Sequence, residues 1–368
     1  MKKNFSLPLA ACLTETGDTD NIEPAACTSR CNLIIAETRH INHILLEETD
    51  DDDELAQRYS AALSAAKSKA ADGALIAAVL GSEDCAVEYD CGAFEAAVFD
   101  YLEKMTILRD LGTDIILMHG CSRLWQMRAA VIAGEQAEIP VFVTVNADED
   151  GKSENETDYI SALITLQSLG AAAFGIYSTD GAGELSILLE KALPHAEIPL
   201  IAVEDMNSLD DAALKRLSYS GASIYLNTAP DPDGETAKKL LSLTSVFDPD
   251  TEKDSYAAAV ESEVFFLSDN IELSEPIECD WGMSYDLIDM DDENINSVCI
   301  VLNSSDDVSL LAVNSDMSRL PLTVHTNDSN TLEAALRYFT GRLIVDSRCA
   351  IERSELDALC EKYGAIVY

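Results

Sequence analysis

The chain has 368 residues, 47% of them apolar, and sets 67 Asp and Glu against 24 Lys and Arg for a formal charge of −43. That apolar fraction supports a packed core, and the length accommodates two domains or one barrel with an appendage. The charge excludes nucleic acid, whose phosphates need Lys and Arg, and anionic membrane surfaces; no apolar run reaches the ~18 residues of a bilayer span.

In chain order, the first residues pair two lysines with a short apolar stretch, a weak likeness to a signal peptide. Pro8 interrupts it, and it is about half the usual signal length. Leu7–Leu13 is therefore read as a first strand, followed by a polar loop and a second strand at Asn32–Glu37. The acidic run Asp50–Asp53 complements the positive end of a helix over Glu54–Ala70. A third strand, Ala74–Leu80, precedes a helix over Gly92–Leu111. There Phe94, Val98, Tyr101, Leu102, Met105 and Leu108 keep a helical period. Strand Asp114–Met118, helix Leu124–Gly134, strand Pro140–Val145 and the polar loop Asp148–Thr157 come next. They are followed by helix Tyr159–Leu169, strand Ala172–Tyr177 and helix Gly183–Leu193. Strand Pro199–Val203 precedes a helix at Leu209–Tyr219, capped by Asn207 or Ser208. Strand Ala222–Leu226 and a helix at Glu235–Thr244 close the series.

The short strands are β-rich and uniformly apolar, as in parallel sheets buried on both faces. Eight of them alternating with seven or eight helices predict a TIM (β/α)8 barrel over residues 1–246. A doubly wound open sheet is the alternative, but no Gly-rich dinucleotide or P-loop fingerprint follows a strand. The pattern breaks at Asp248–Glu252, and 247–282 reads as a linker that includes a strand at Val264–Leu267; Asp280–Glu293 is acidic and irregular. Strands at Val298–Leu302, Leu320–Val324, Arg342–Val345 and Ala365–Tyr368, with helices at Ser329–Phe339 and Ser354–Tyr363, predict a partial β/α barrel-like domain over 283–368. A partial barrel leaves an open edge and a thinly covered face. It is expected to lean on the first domain, on another chain or on a second copy.

Five segments in order resemble the homocysteine S-methyltransferase family, the homocysteine barrel of cobalamin-dependent methionine synthase. They are CNLIIAETRHINHILLEE, YLEKMTILRDLGTDIILMHGC, IPVFVTVNADEDGKS, LGAAAFGIYS and GASIYLNTAPDPD. VCIVLNSS and the sequence from Leu320 to Tyr368 resemble strands of the pterin-binding barrel that follows it in that enzyme. The resemblance implies zinc as the family cofactor, held by three cysteines that bind homocysteine sulfur and lower its pKa. It places one ligand at the end of the sixth strand and two after the eighth. In this chain Ser178 stands at the first position, and Tyr225–Pro230 has no cysteine. His119-Gly120 replaces a substrate-holding Glu-Thr pair. In the second domain, His325-Thr326 and Asp346-Ser347 replace the Asp-Ser and Asn-Ser pairs, while Asn303 is kept. Neither zinc nor a folate is therefore expected.

The substrate-pocket candidates are the strand-end residues His119, Asn146, Ser178 and Asn227. No catalytic residue is assigned, although His119 invites an acid–base role; a hydrogen-bonded rim histidine is the plainer reading. Cys12, Cys85, Cys91, His119 and Cys121 lie near strand ends and offer a relocated metal site, without a close cysteine pair to anchor it; Cys27 and Cys31 are equally weak. Asp148, Glu149 and Asp150 form an acidic loop at the mouth. Trp125 and Gln126 are expected to pack. The functional expectation is a degenerate family member, a cytoplasmic barrel that binds a homocysteine- or methionine-like molecule or regulates its metabolism. Its alternatives are an active methyltransferase with a relocated metal or a different acceptor, and a non-catalytic partner of a corrinoid methyltransferase system. The incomplete second domain is the expected surface for a methyltransferase partner or for homo-oligomerisation. Single cysteines in apolar runs (Cys12, Cys299, Cys360) fit reduced thiols in the cytoplasm.

Overall fold

Eight short parallel strands curve into a nearly closed barrel, in the order β1-β8-β7-β6-β5-β4-β3-β2. The structure is a computed structural model that describes residues 5, 7–12, 30–39, 41, 52–81, 88–247, 256–290, 295–314 and 317–368. Cys27, Cys85, Asp50, Asp51 and the break at Asp248–Glu252 lie outside the described residues. The strands are β1 (Leu9–Cys12), β2 (Leu33–Ala36), β3 (Leu75–Gly81), β4 (Ile115–Cys121), β5 (Val141–Ala147), β6 (Ala173–Ser178), β7 (Leu200–Glu204) and β8 (Ala222–Asn227). Among the described residues, seven helices alternate with them: α1 (Asp52–Lys67), α2 (Cys91–Asp110), α3 (Leu124–Gln136), α4 (Tyr159–Leu169), α5 (Ala182–Ala192), α6 (Asp211–Tyr219) and α7 (Glu235–Leu241).

Side chains alternate across each strand, and both directions are apolar. Leu33, Ile35, Val79, Ile115, Leu117, Phe142, Ile201, Val203, Ile224 and Leu226 fill the barrel interior. Ile34, Ile116, Met118, Val143, Phe174 and Ile176 meet the helices outside. This two-sided burial is why the strands read as unbroken apolar runs. The seam between β1 and β2 is bridged by a side chain. The Asn32 amide donates to Pro8 O and accepts from Ala10 N, both at 2.9 Å. Helix α6 starts later than its sequence signal indicated. Asp210 is its cap, accepting from Ala213 N at 2.8 Å, and Met206–Ser208 forms a separate 3-10 turn.

Beyond the barrel, β9 (Ala257–Ala259) and β10 (Val264–Phe266) form an antiparallel hairpin. A second, five-stranded sheet then runs parallel in sequential order: β11 (Ile277–Glu278), β12 (Val298–Val301), β13 (Leu322–His325), β14 (Ile344–Val345) and β15 (Ile366–Val367). Its helices are α8 (Met283–Asp289), α9 (Ser305–Asn314), α10 (Ser329–Tyr338) and α11 (Arg353–Tyr363). Helix α8 lies in the stretch expected to be irregular. β9, β11 and α9 carried no recognised signal; the strands, of three and two residues, are too short for a period to stand out.

The second sheet leans on the barrel through its helices, the first of the three expected arrangements. Arg128 on α3 is fully buried and donates to Leu336 O and Arg337 O at the end of α10, at 2.8 and 3.1 Å. Arg337 returns a paired contact to Glu95 on α2, at 2.5 and 2.9 Å. Phe94 lies between them, edge-on to Tyr338 and beneath both guanidinium groups. Gly364, at the end of α11, marks a close approach of the second sheet's last helix to α4 of the barrel. A Cβ there would fall 2.4 Å from the Ser168 backbone, and its φ of +69° suits glycine.

Candidate functional site at the barrel mouth

At the C-terminal ends of the barrel strands, a cavity of about 530 Å³ is lined by Arg39, His119, Gly120, Asn146, Tyr177, Thr228 and Pro230. Strand alternation selects these residues. On β4 the inward series is Ile115, Leu117, His119; on β5 it is Phe142, Thr144, Asn146; on β6, Ala173 is followed two steps on by Gly175 and Tyr177. The same rule removes two candidates from the cavity. Ser178 is one step past Tyr177 and is buried, its Oγ accepting from Asp180 N at 3.2 Å. Asn227 is one step past Leu226 and is also buried. Its carbonyl oxygen accepts from Met206 N and Ala229 N, and its amide donates to Asn207. Of the four strand-end candidates, the structure brings His119 and Asn146 together in the mouth and gives Ser178 and Asn227 to the adjoining loops.

His119 is held by a bulge. The register between β4 and β5 shifts between Met118 and Cys121, and Gly120 takes φ +70° there. The Gly120 N–H donates to Thr144 Oγ1 at 3.1 Å, and the same hydroxyl lies 2.8 Å from His119 Nδ1. Thr144 has one hydrogen to give, and Met118 O lies farther off at 3.5 Å. The shorter contact assigns that hydrogen to Nδ1 and the ring proton to Nε2. Burial lowers the His119 pKa to about 4, helped by the charge of nearby Arg39. At neutral pH the imidazole is therefore an uncharged hydrogen-bonding group.

Arg39, just past β2, supplies the positive charge. Its Nε and Nη2 meet Glu37 at 2.9 and 2.7 Å, and its backbone N–H also donates to Glu37. Arg39, Tyr177 and Thr228 were not among the sequence candidates. The two-residue strand period announced Tyr177; nothing local announced Arg39 or Thr228, which reach the mouth through loops. The acidic loop after β5 is built around Asp148, whose carboxylate accepts from the backbone N–H groups of Asp150 and Lys152. Trp125 and Gln126 are buried, Trp125 packing against Tyr89.

These donors do not fit a zinc-thiolate centre, which takes soft sulfur and imidazole ligands in a tetrahedron. Among the described residues, no cysteine lines the mouth. Cys12 and Cys121 face the helix layer, and Cys91 opens α2 beside Ser309. Among the described residues, no group of three or more His, Cys, Asp or Glu side chains converges as a ligand set. A second cavity of about 520 Å³ lies at the C-terminal ends of the second sheet, lined in part by Cys299, His325, Asp346, Arg348 and Tyr368. There Asp346 accepts from His325 Nδ1 at 3.0 Å and from Arg348, while Asn303 is tied to Glu278. Among the described residues, no helix is long and apolar enough to cross a membrane.

The fold and the mouth define a (β/α)8 barrel with a polar cavity at its strand ends. Residues 21–248, well over half the chain, match the family model for homocysteine S-methyltransferase, and the chain belongs to that family. It is 29% identical over 153 residues to methionine synthase of Mycobacterium leprae (strain TN), and 31% identical over 153 residues to that of Mycobacterium tuberculosis (strain ATCC 25618 / H37Rv). Each match spans 40% of this chain but only 12% of the relative's length. Among solved structures, the metallated homocysteine methyltransferase MmuM from Escherichia coli aligns over 58% of this chain and 79% of its own, with 13% identity and a TM-score of 0.49. A 3-hexulose-6-phosphate synthase aligns over 64% of this chain and all of its own, with 16% identity and a TM-score of 0.40.

Proposed function

We propose that this chain is a zinc-independent, ligand-binding member of the homocysteine S-methyltransferase family, whose barrel mouth takes a homocysteine- or methionine-like amino acid. The observation that carries the reading is the donor set of the mouth. Arg39, paired with Glu37, lends positive charge to the mouth, and a neutral His119, Asn146, Tyr177 and Thr228 offer hydrogen bonds. Among the described residues no mouth side chain is a thiolate, so none of them would lower the pKa of a bound thiol. The bound sulfur then stays a thiol or thioether, and the barrel senses or sequesters its ligand instead of activating it. On the same footing we assign the chain to the reducing cytoplasm. Among the described residues six cysteines are free and buried, and burial pushes the Cys299 and Cys360 thiols up to about 11 and about 12.

Calorimetric titration of metal-stripped protein with homocysteine and with methionine, paired with metal analysis of untreated protein, tests this. At least one amino acid is expected to bind with or without zinc, and Tyr177→Ala or Asn146→Ala is expected to weaken binding about tenfold or more, the order of one or two lost hydrogen bonds in a buried site. Stoichiometric zinc in the untreated protein, or binding that appears only when zinc is restored, would overturn the proposal in favour of a metal-dependent methyltransferase.

A further inference from the structure

Helix α8 is apolar on two opposite faces. Met283 and Leu287 point inward and are buried, at 0% and 1% exposure. Tyr285 and Ile288 lie on the outer face at 73% and 46% exposure, and Trp281, in the turn just before the helix, is 87% exposed. Contiguous exposed apolar groups of this kind mark interaction sites, and Trp and Tyr are the residues that most often anchor them. The preceding strand, β11, is the outer strand of its sheet, so the patch stands at the sheet's edge.

The charge around the patch identifies the kind of surface that fits it. Residues 254–318 contain no Lys, Arg or His and sixteen Asp and Glu. Asp280 and Asp286 sit within the same segment as the exposed aromatics. We propose that this face of α8 docks a partner protein that presents an apolar groove rimmed by Lys and Arg. The aromatic side chains fill the groove, while the surrounding carboxylates meet the rim and speed encounter. A second copy of this chain is the poorer occupant, because a symmetric pairing through this face would set two segments with no cations against each other. An anionic bilayer is repelled for the same reason.

The test uses the full chain with a labelled amphipathic Leu/Lys helical peptide as probe, and a Leu/Glu peptide of the same apolar face as control. The chain has two tryptophans. Trp125 is 2% exposed, so a blue shift of the solvent-exposed emission reports Trp281. The Leu/Lys peptide is expected to bind with that blue shift, to lose affinity steeply as salt is raised, and to bind Trp281→Ala about tenfold or more weakly. Ile288→Ser is a milder second variant. Both alter exposed side chains, so thermal melts should match wild type. Equal binding of the two peptides, or binding indifferent to both substitutions, would overturn the proposal. So would sedimentation showing wild-type self-association that Trp281→Ala abolishes, which would assign the face to a second copy.

Discussion

His119 and Ser178 stand at comparable strand ends and have opposite fates. One faces the cavity and the other the loops, because side-chain direction changes with every step along a strand. Position within the period therefore outweighs residue type at a barrel mouth. The environment of His119 has a measurable consequence. The unfolded chain protonates this imidazole near its ordinary value of 6.5, and the folded chain near about 4. Between those values the unfolded state holds more protons, so stability is retained above pH 6.5 and is lost as pH falls toward 4. The loss attributable to this residue is on the order of 3 kcal/mol at most. Urea midpoints measured from pH 7 to pH 4 are expected to fall more steeply for wild type than for His119→Gln, which has no proton to gain. Parallel curves would place the imidazole in contact with solvent.

At the scale of elements, the β9–β10 turn joins the two sheets. The Glu261 carboxylate accepts from Leu124 N at the start of α3, at 2.9 Å, and from Thr157 Oγ1 at 2.7 Å. Its backbone carbonyl accepts from Asp158 N, the Ser161 hydroxyl donates to Val260 O, and Lys152 reaches Ser262 O. On the other side, Ala259 bridges to Arg342, at the entry to β14. The hairpin thus fastens the loops after β4 and β5, which border the mouth, to the second sheet. Glu261→Ala removes the acceptor that satisfies two donors and is expected to cost about 1–2 kcal/mol. Glu261→Gln, which keeps an oxygen acceptor, should cost less. Hydrogen exchange is the direct measurement: protection should drop in the first turn of α3 and around Thr157 in the Ala variant.

For the whole molecule, the principal joint between barrel and second sheet is aromatic and cationic. Arg128 is buried without a carboxylate beside it. The carbonyls at the end of α10, the negative pole of that helix, and the face of Phe94 stand in for one. Burial lowers its pKa to about 10, so it stays charged at neutral pH. Arg128→Met keeps the volume but strands two buried carbonyls, and is expected to cost about 2–4 kcal/mol. The loss should appear as earlier urea unfolding, with the second sheet's amides exchanging before those of the barrel. A single cooperative transition at the wild-type midpoint would mean that the joint contributes little.

The sequence by itself determined the β/α alternation, the barrel and the family. Apolar runs buried on both faces and helices of full period leave a local signature that tertiary contacts need only satisfy. It also placed the cavity at the strand ends, with His119 and Asn146 in it, and it showed that cysteines are missing where zinc ligands would stand. Only the tertiary structure decided the rest. Arg39 and Thr228 reach the mouth from loops whose paths depend on packing, while Ser178 and Asn227 turn away because the strand ends one step earlier or later than residue type suggests. β9, β11 and α8, of three, two and seven residues, are too short to carry a period. The exposed face of α8 became visible only when Met283 and Leu287 were seen buried on the other side, since burial is a property of neighbours and not of the residue itself.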